Sequence, residues 1–251
     1  MVLDQRATSQ RTTALVTGAS GGIGFEVARK LLEKGVSVGV HYCRNREGAE
    51  KLVAAAEEGR CKAFQADFAS SRQVMQLWSE FIDWAGTIGI LVNNAGEVAD
   101  AMPLESLTEE AWDRTFQVNV KAPFLLSQSA MPVMKKRNGG RIINISSIGV
   151  KFGGGRTTAH YSASKAALEA ITLSFAKEGA SYNVLVNAIR AGVTDTSFHE
   201  KIGRDNLSDR AKLIPLQRLA NPSEIADAVL FLASEAASYI TGSIVPVSGG
   251  E

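Results

Sequence analysis

The feature that most constrains this chain is an alternation of short apolar runs of strand length with segments of helical period. Strands that are apolar throughout must be covered on both faces, and the intervening helices supply that cover. The pattern therefore predicts a mostly parallel sheet between two helical layers. The first run is Thr13 to Thr17, followed by a glycine-rich turn and a helix with Ile23, Val27 and Leu31 on one face. Gly35 stands where a left-handed residue would end that helix. Further strands are expected at Val36 to Val40, Lys62 to Gln65, Ile90 to Asn93, Arg141 to Ile145, Val184 to Ile189 and Ile244 to Val247. A long helix is expected from Trp112 to Lys136, another from Tyr161 to Gly179, and one from Pro222 to Ala233, with a less regular segment from Val193 to Pro215.

No linker, repeat or low-complexity stretch interrupts the alternation, so residues 12–251 read as one domain behind a polar leader at 1–11. Basic and acidic residues nearly cancel, at a formal net charge of +1, which gives no electrostatic footprint for nucleic acid or an anionic membrane. The leader lacks the apolar stretch of a signal peptide, and no apolar run has membrane-spanning length. Cys43 and Cys61 have neither the spacing nor the histidine partners of a metal site. Reduced thiols in a cytoplasmic compartment are the expectation, with no metal.

The turn Thr17-Gly18-Ala19-Ser20-Gly21-Gly22-Ile23-Gly24 lies between a strand and a helix. Glycines there let main chain approach a pyrophosphate, and the helix N-terminus offers N–H groups and partial positive charge to it. The spacing departs from G-x-G-x-x-G by an extra residue between the first two glycines. The second strand should end at the adenosine ribose, where a carboxylate would favour NAD. Here the segment is His41-Tyr42-Cys43-Arg44-Asn45, with no acid. Arg44 suits a 2′-phosphate, so NADPH is expected over NADH; the alternative is a solvated surface arginine.

Tyr161 and Lys165 stand at i and i+4, on one helical face. A phenol ordinarily titrates at about 10, too high for proton exchange near neutrality, and an adjacent ammonium favours the phenolate. Ser146-Ser147 lies just upstream at the end of a strand, the edge where open parallel sheets bind ligands.

Taken in order, Thr17 to Gly24, Asp67, Asn93-Asn94-Ala95-Gly96, Asn119, Ser146-Ser147, Tyr161 to Lys165 and Ala191 to Thr196 resemble the short-chain dehydrogenase/reductase family. The similarity runs from about Thr12 to Gly250, and it is to the compact branch that includes 3-oxoacyl-acyl-carrier-protein reductases. The resemblance implies a Rossmann-type, doubly wound, mostly parallel seven-stranded sheet and a homo-oligomer, in particular a tetramer. It implies Tyr161 as general acid/base, Ser147 on the substrate oxygen, and Lys165 on the nicotinamide ribose. Asn119 would position a relay water, Asp67 and Phe68 would face the adenine, Asn94, Ala95 and Gly96 would line the cofactor cleft, and Val193 and Thr194 would meet the carboxamide.

Other readings stand beside these. Asn119 could serve a backbone break inside its helix, and Asp67 could be a turn cap. Gly21 replaces the arginine common in NADPH-preferring relatives, and Ala191-Gly192 replaces the common Pro-Gly. The stretch from Ser147 to Tyr161 is one residue longer than usual, which leaves Ser146 as a competitor to Ser147. Arg190 could meet an anionic substrate or form a structural ion pair, and His160 and His199 fall near the expected substrate mouth. The substrate expected is a small molecule or an acyl-carrier-linked 3-oxoester reduced by NADPH. An alcohol or sugar dehydrogenase and a non-catalytic nicotinamide sensor are the competing functions.

Overall fold

The computed structural model describes residues 12–198 and 206–251; the leader expected at 1–11 and His199 lie outside the described residues. Seven strands form one sheet: β1 Thr13–Val16, β2 Ser37–Tyr42, β3 Cys61–Gln65, β4 Ile90–Asn93, β5 Gly140–Ser147, β6 Val184–Ala191 and β7 Ile244–Val247. Their order is β3-β2-β1-β4-β5-β6-β7, with every neighbouring pair parallel. Among the described residues the α-helices, in chain order, are α1 Gly22–Glu33, α2 Arg46–Ala55, α3 Ser71–Ala85, α4 Glu109–Phe116, α5 Ala122–Lys136, α6 Gly149–Phe152, α7 Ala159–Gly179, α8 Leu207–Lys212 and α9 Pro222–Leu232.

Each strand feeds two cores because successive side chains point to opposite faces. In β1, Ala14 and Val16 join the cluster under α1, α2 and α9, whereas Leu15 joins the cluster under α3 and α5. On α3, Val74, Leu77 and Phe81 are buried, and the aromatic rings of Phe64, Trp78 and Trp84 surround Phe81 within about 6 Å. Phe81 is fully buried, so its truncation to alanine should cost about 3–5 kcal/mol. Gly35 has φ +78°, the left-handed geometry its place after α1 requires.

The long helix expected from Trp112 to Lys136 is corrected. It starts at Glu109, capped by the Thr108 side chain, and a π turn over Gln117–Lys121 divides it into α4 and α5. The periodicity carried through the turn because Val118 and Ala122 stay buried on the core side. Two strands also run further than their apolar residues indicated. β5 continues through Ser146 and Ser147, and β6 through Arg190 and Ala191, which pair Ser146↔Arg190 and Ser147↔Ala191. Polar side chains there hid a ladder that main-chain hydrogen bonds sustain. The segment after Val193 contains α8, whose N-terminus Asn206 caps.

The strand order reverses between β1 and β4. In open parallel sheets this reversal leaves a crevice at the carboxyl ends of the strands.

Candidate active site

The turn after β1 is interlocked with the turn after β4. Thr17 Oγ1 donates to Val92 O at 3.2 Å and accepts from the Asn94 and Ala95 N–H groups at 2.9 and 3.0 Å. The Asn94 amide donates to Thr17 O and Gly18 O at 2.9 and 3.1 Å. Gly18 has φ +63°, and a Cβ there would fall 2.9 Å from Ala95 Cα. A Cβ on Gly24 would fall 2.4 Å from both Asn94 Nδ2 and Gly18 O, so neither position admits a side chain.

Gly21, by contrast, would point a Cβ into open space. α1 begins beside it with no side-chain cap and no acidic residue in its first turn. Its leading N–H groups and positive dipole end thus face the opening, with no carboxylate to oppose an anion. These residues fit a dinucleotide pyrophosphate.

His41, at the end of β2, was given no role from the sequence. Its Nδ1 accepts from the Gly18 N–H at 3.0 Å, which puts the ring proton on Nε2, 3.0 Å from Ala66 O. Burial pushes His41 down to about 4, in keeping with the neutral ring that these bonds require. The signal available was a histidine inside an otherwise apolar strand. Phe68 stacks on this ring at 4.0 Å and is buried, so what it can turn toward a ligand is its main chain. Asp67 Oδ1 accepts from the Ala69 N–H at 2.9 Å, a turn cap, and lies 3.9 Å from Arg114. Arg44 is exposed and has no ion-pair partner among the described residues. The Asn45 amide donates to Ser20 O at 2.8 Å, fastening this corner to the glycine turn.

A cleft of about 730 Å³ opens beside the turn. Gly96, Ser147, Tyr161, Lys165, Val193 and Thr194 line it, and it reaches the glycine turn at Ile23 and Asn94. Lys165 is 2% exposed; its Nζ donates to Ile145 O at 2.7 Å and lies 5.6 Å from the centre of the Tyr161 ring. Burial pulls Lys165 down to about 8. A Cβ on Gly96 would stand 3.2 Å from that Nζ, so glycine keeps the ammonium accessible from the cleft.

Asn119 is buried in the π turn. Its Oδ1 accepts from the Glu97 N–H at 2.8 Å, and its Nδ2 donates to Glu97 O at 2.8 Å and Ser164 Oγ at 2.9 Å. The amide is therefore engaged with protein, and what this widened turn can lend a water is main-chain carbonyl. The two serines separate cleanly. Ser146 is buried and donates to Glu169 Oε1 at 2.6 Å, whereas Ser147 is half-buried and its Oγ accepts from the Gly149 N–H at 3.1 Å. Ser147 thus keeps its proton for the cleft.

Arg190 forms the ion pair rather than an anion site, gripping Glu169 through two bonds of 2.8 and 2.7 Å. His160 is fully buried, with Nε2 2.9 Å from Ala99 O, and is not part of the mouth. Cys43 and Cys61 are unbridged; burial raises both, Cys61 to about 12, which leaves inert thiols. Among the described residues no acidic, histidine and cysteine cluster could hold a metal, and no helix is long and apolar enough to cross a membrane.

Comparison with known proteins agrees with this geometry. A family model described as enoyl-(acyl carrier protein) reductase matches residues 18–251. The 3-oxoacyl-[acyl-carrier-protein] reductase FabG of Staphylococcus aureus is 37% identical over 243 residues, 95% of this chain and 97% of its own. A solved short-chain dehydrogenase/reductase from Brucella melitensis, described as glucose/ribitol dehydrogenase, has a TM-score of 0.87 at 29% identity, covering 100% of this chain and 98% of that one. A blue fluorescent protein from a metagenomic library, solved in complex with NADPH, has a TM-score of 0.89 at 33% identity, covering 95% and 97%.

Fold and site define an NAD(P)-dependent oxidoreductase, built on a doubly wound parallel sheet. More narrowly, the chain belongs to the short-chain dehydrogenase/reductase family.

Proposed function

We propose that this chain is an NADPH-dependent reductase of 3-oxoacyl-acyl-carrier-protein, or of a similar 3-oxoester or ketone, acting from one domain over residues 12–251. The reading is carried by the Tyr161 ring beside the buried Lys165 ammonium, in the cleft that Ser147 also lines. The bound cofactor would supply the hydride. Tyr161 Oη gives the balancing proton to the carbonyl oxygen, and the charge left on the phenol is steadied by Lys165. Ser147 Oγ donates to the same oxygen as negative charge develops on it. Lys165 also holds the nicotinamide ribose, Val193 and Thr194 meet the carboxamide, and the Asn119 turn seats a water that returns protons from solvent. Gly18, Ser20, Gly21, Gly22, Ile23 and Gly24 carry the pyrophosphate, Asn94, Ala95 and Gly96 line the cleft, and Asp67 with the Phe68 main chain meets the adenine.

Arg44 supports NADPH over NADH, being exposed and unpaired at a corner with no acid on β2. Arg44→Ala should raise KM for NADPH about tenfold and leave NADH unchanged; an equal change for both would remove Arg44 from this role. Apolar side chains at the rim, Val98, Ile148, Phe152 and Leu207, suit an acyl chain. The family model and the relatives name three chemistries, so the deciding experiment offers a 3-oxoacyl thioester and the matched enoyl thioester with NADPH or NADH, and a polyol with NADP+ or NAD+. NADPH oxidation by the first alone supports the proposal, and turnover of the enoyl thioester alone overturns it. Polyol oxidation would favour the second reading, which the resemblance to glucose/ribitol dehydrogenase supports. Exposed Phe124 on α5 and Leu173 on α7 support a homotetramer built through these helices, checked by sedimentation.

A further inference from the structure

Glu169 binds α7 to the ends of two strands. Ser146 Oγ donates to Oε1 at 2.6 Å, Arg190 Nε donates to Oε1 at 2.8 Å, and the other side of the guanidinium donates to Oε2 at 2.7 Å. Ser146 and Arg190 are direct partners across β5 and β6, so one carboxylate bridges a register pair. The next pair is Ser147 and Ala191, at the cleft.

Tyr161, Lys165 and Glu169 recur at four-residue spacing, on one face of α7. Lys165 holds Ile145 O while Glu169 holds Ser146 Oγ. Consecutive residues of β5 are therefore gripped from the helix that carries Tyr161, and the residue after them is Ser147. Glu169 is buried, at 8% exposed, and stands one helical turn from Lys165. Tyr161 lies on the same helix, Glu97 after β4 is taken up by Arg114 at 3.0 Å, and β5 and the π turn present the neutral Ile145 O and Asn119.

We propose that Glu169 and Arg190 form a positioning pair for the Tyr161–Lys165 site, fixing the strand end that carries Ser147 against α7 and balancing the charge beside Lys165. This rests on the proposed role of Lys165 at the cofactor ribose. With Arg190 absent, the carboxylate acts on Lys165 unopposed and favours its cation; with Glu169 neutralised, the guanidinium disfavours it. The two changes therefore act with opposite sign, which a merely structural bridge would not produce.

The test compares Arg190→Met, Glu169→Gln, the double variant and the exposed control Glu178→Gln on the same helix. The alkaline limb is read in kcat/KM for a carbonyl substrate and separately in the NADPH dissociation constant without substrate. Arg190→Met should move the limb up by about one pH unit and Glu169→Gln down by about as much. Each should lower kcat about tenfold with cofactor affinity at neutral pH held within twofold, as loosening of Ser147 requires. The double variant, with neither charge buried, should return the limb to its wild-type position and remain folded. The control should move nothing. Limbs that stay put in both single variants, or shift in the same direction, overturn the inference alone. A wild-type protein whose NADPH binding shows no alkaline limb rejects the role of Lys165, and the inference with it.

Discussion

The two halves of the cleft are built differently. On the cofactor side, Thr17, Gly18, His41 and Asn94 tie the glycine turn to β2, β4 and the loop after β3 through side-chain bonds to main chain. On the substrate side, the rim is formed by Gly154, Gly155, exposed Phe152 and the short helix α8, where the apolar Phe152 and Leu207 stand beside Asn206 and Arg210. The contrast has a physical reason. A dinucleotide presents the same charges at every turnover and rewards donors fixed in advance, whereas the acyl chain proposed for the other half would be recognised by area, which tolerates variation. Between the halves stand Tyr161 and Lys165, which the proposed function has serve both.

Changes at that junction should have the largest effect. Tyr161→Phe removes only the transferable proton, so kcat should fall about a thousandfold while the NADPH dissociation constant holds within twofold. Activity near that of the wild type would reject Tyr161 as the acid. Next comes the interlocked half: Gly24→Val drives a side chain into Asn94 and Gly18, and should weaken NADPH binding at least a hundredfold in titration calorimetry. If affinity survives, the turn is less over-determined than its bonds imply.

Lys165 gives an intermediate effect, visible without cofactor. Burial lowers it to about 8 from an ordinary value near 10.5. Between these values the unfolded chain binds a proton that the folded chain has released, so this group makes stability rise with pH across that window. Below about 8 both states hold the proton and its contribution is flat. Denaturant titrations should show the rise in the wild type and lose it in Lys165→Met; parallel curves for the two would place the ammonium in water. The smallest change is expected at the rim. Phe152→Ala should raise KM for a medium-chain 3-oxoester about threefold and leave cofactor affinity untouched, consistent with partial loss of apolar contact. A larger loss than that of Gly24→Val would invert the comparison.

Much of the site could be read from local pattern. Tyr161 and Lys165 share a helical face by spacing alone, and the glycine turn is recognisable from its place between strand and helix. What escaped was whatever depended on distant partners. His41 looked like one more strand residue until Gly18 and Ala66 closed on its two nitrogens. Asn119 was legible as a break in its helix, but its partners, the Glu97 main chain and Ser164, were not. The ring of Phe68 is stacked on His41, a contact that no local pattern signals. The choice between Ser146 and Ser147 turned on pleat: adjacent residues point to opposite faces, and Glu169 occupies one of them.

The sequence by itself determined the alternation, hence the parallel sheet and its two cores, because burial on both faces demands apolar strands and amphipathic helices whatever their neighbours. It also determined the spacing of the proposed catalytic pair, since four residues of helix bring two side chains together without outside help. Only the tertiary structure decided which polar groups are engaged and which remain for a ligand. Hydrogen bonds between residues far apart in the chain leave no periodic trace, and a buried carboxylate such as Glu169 takes its meaning from the strands that meet it.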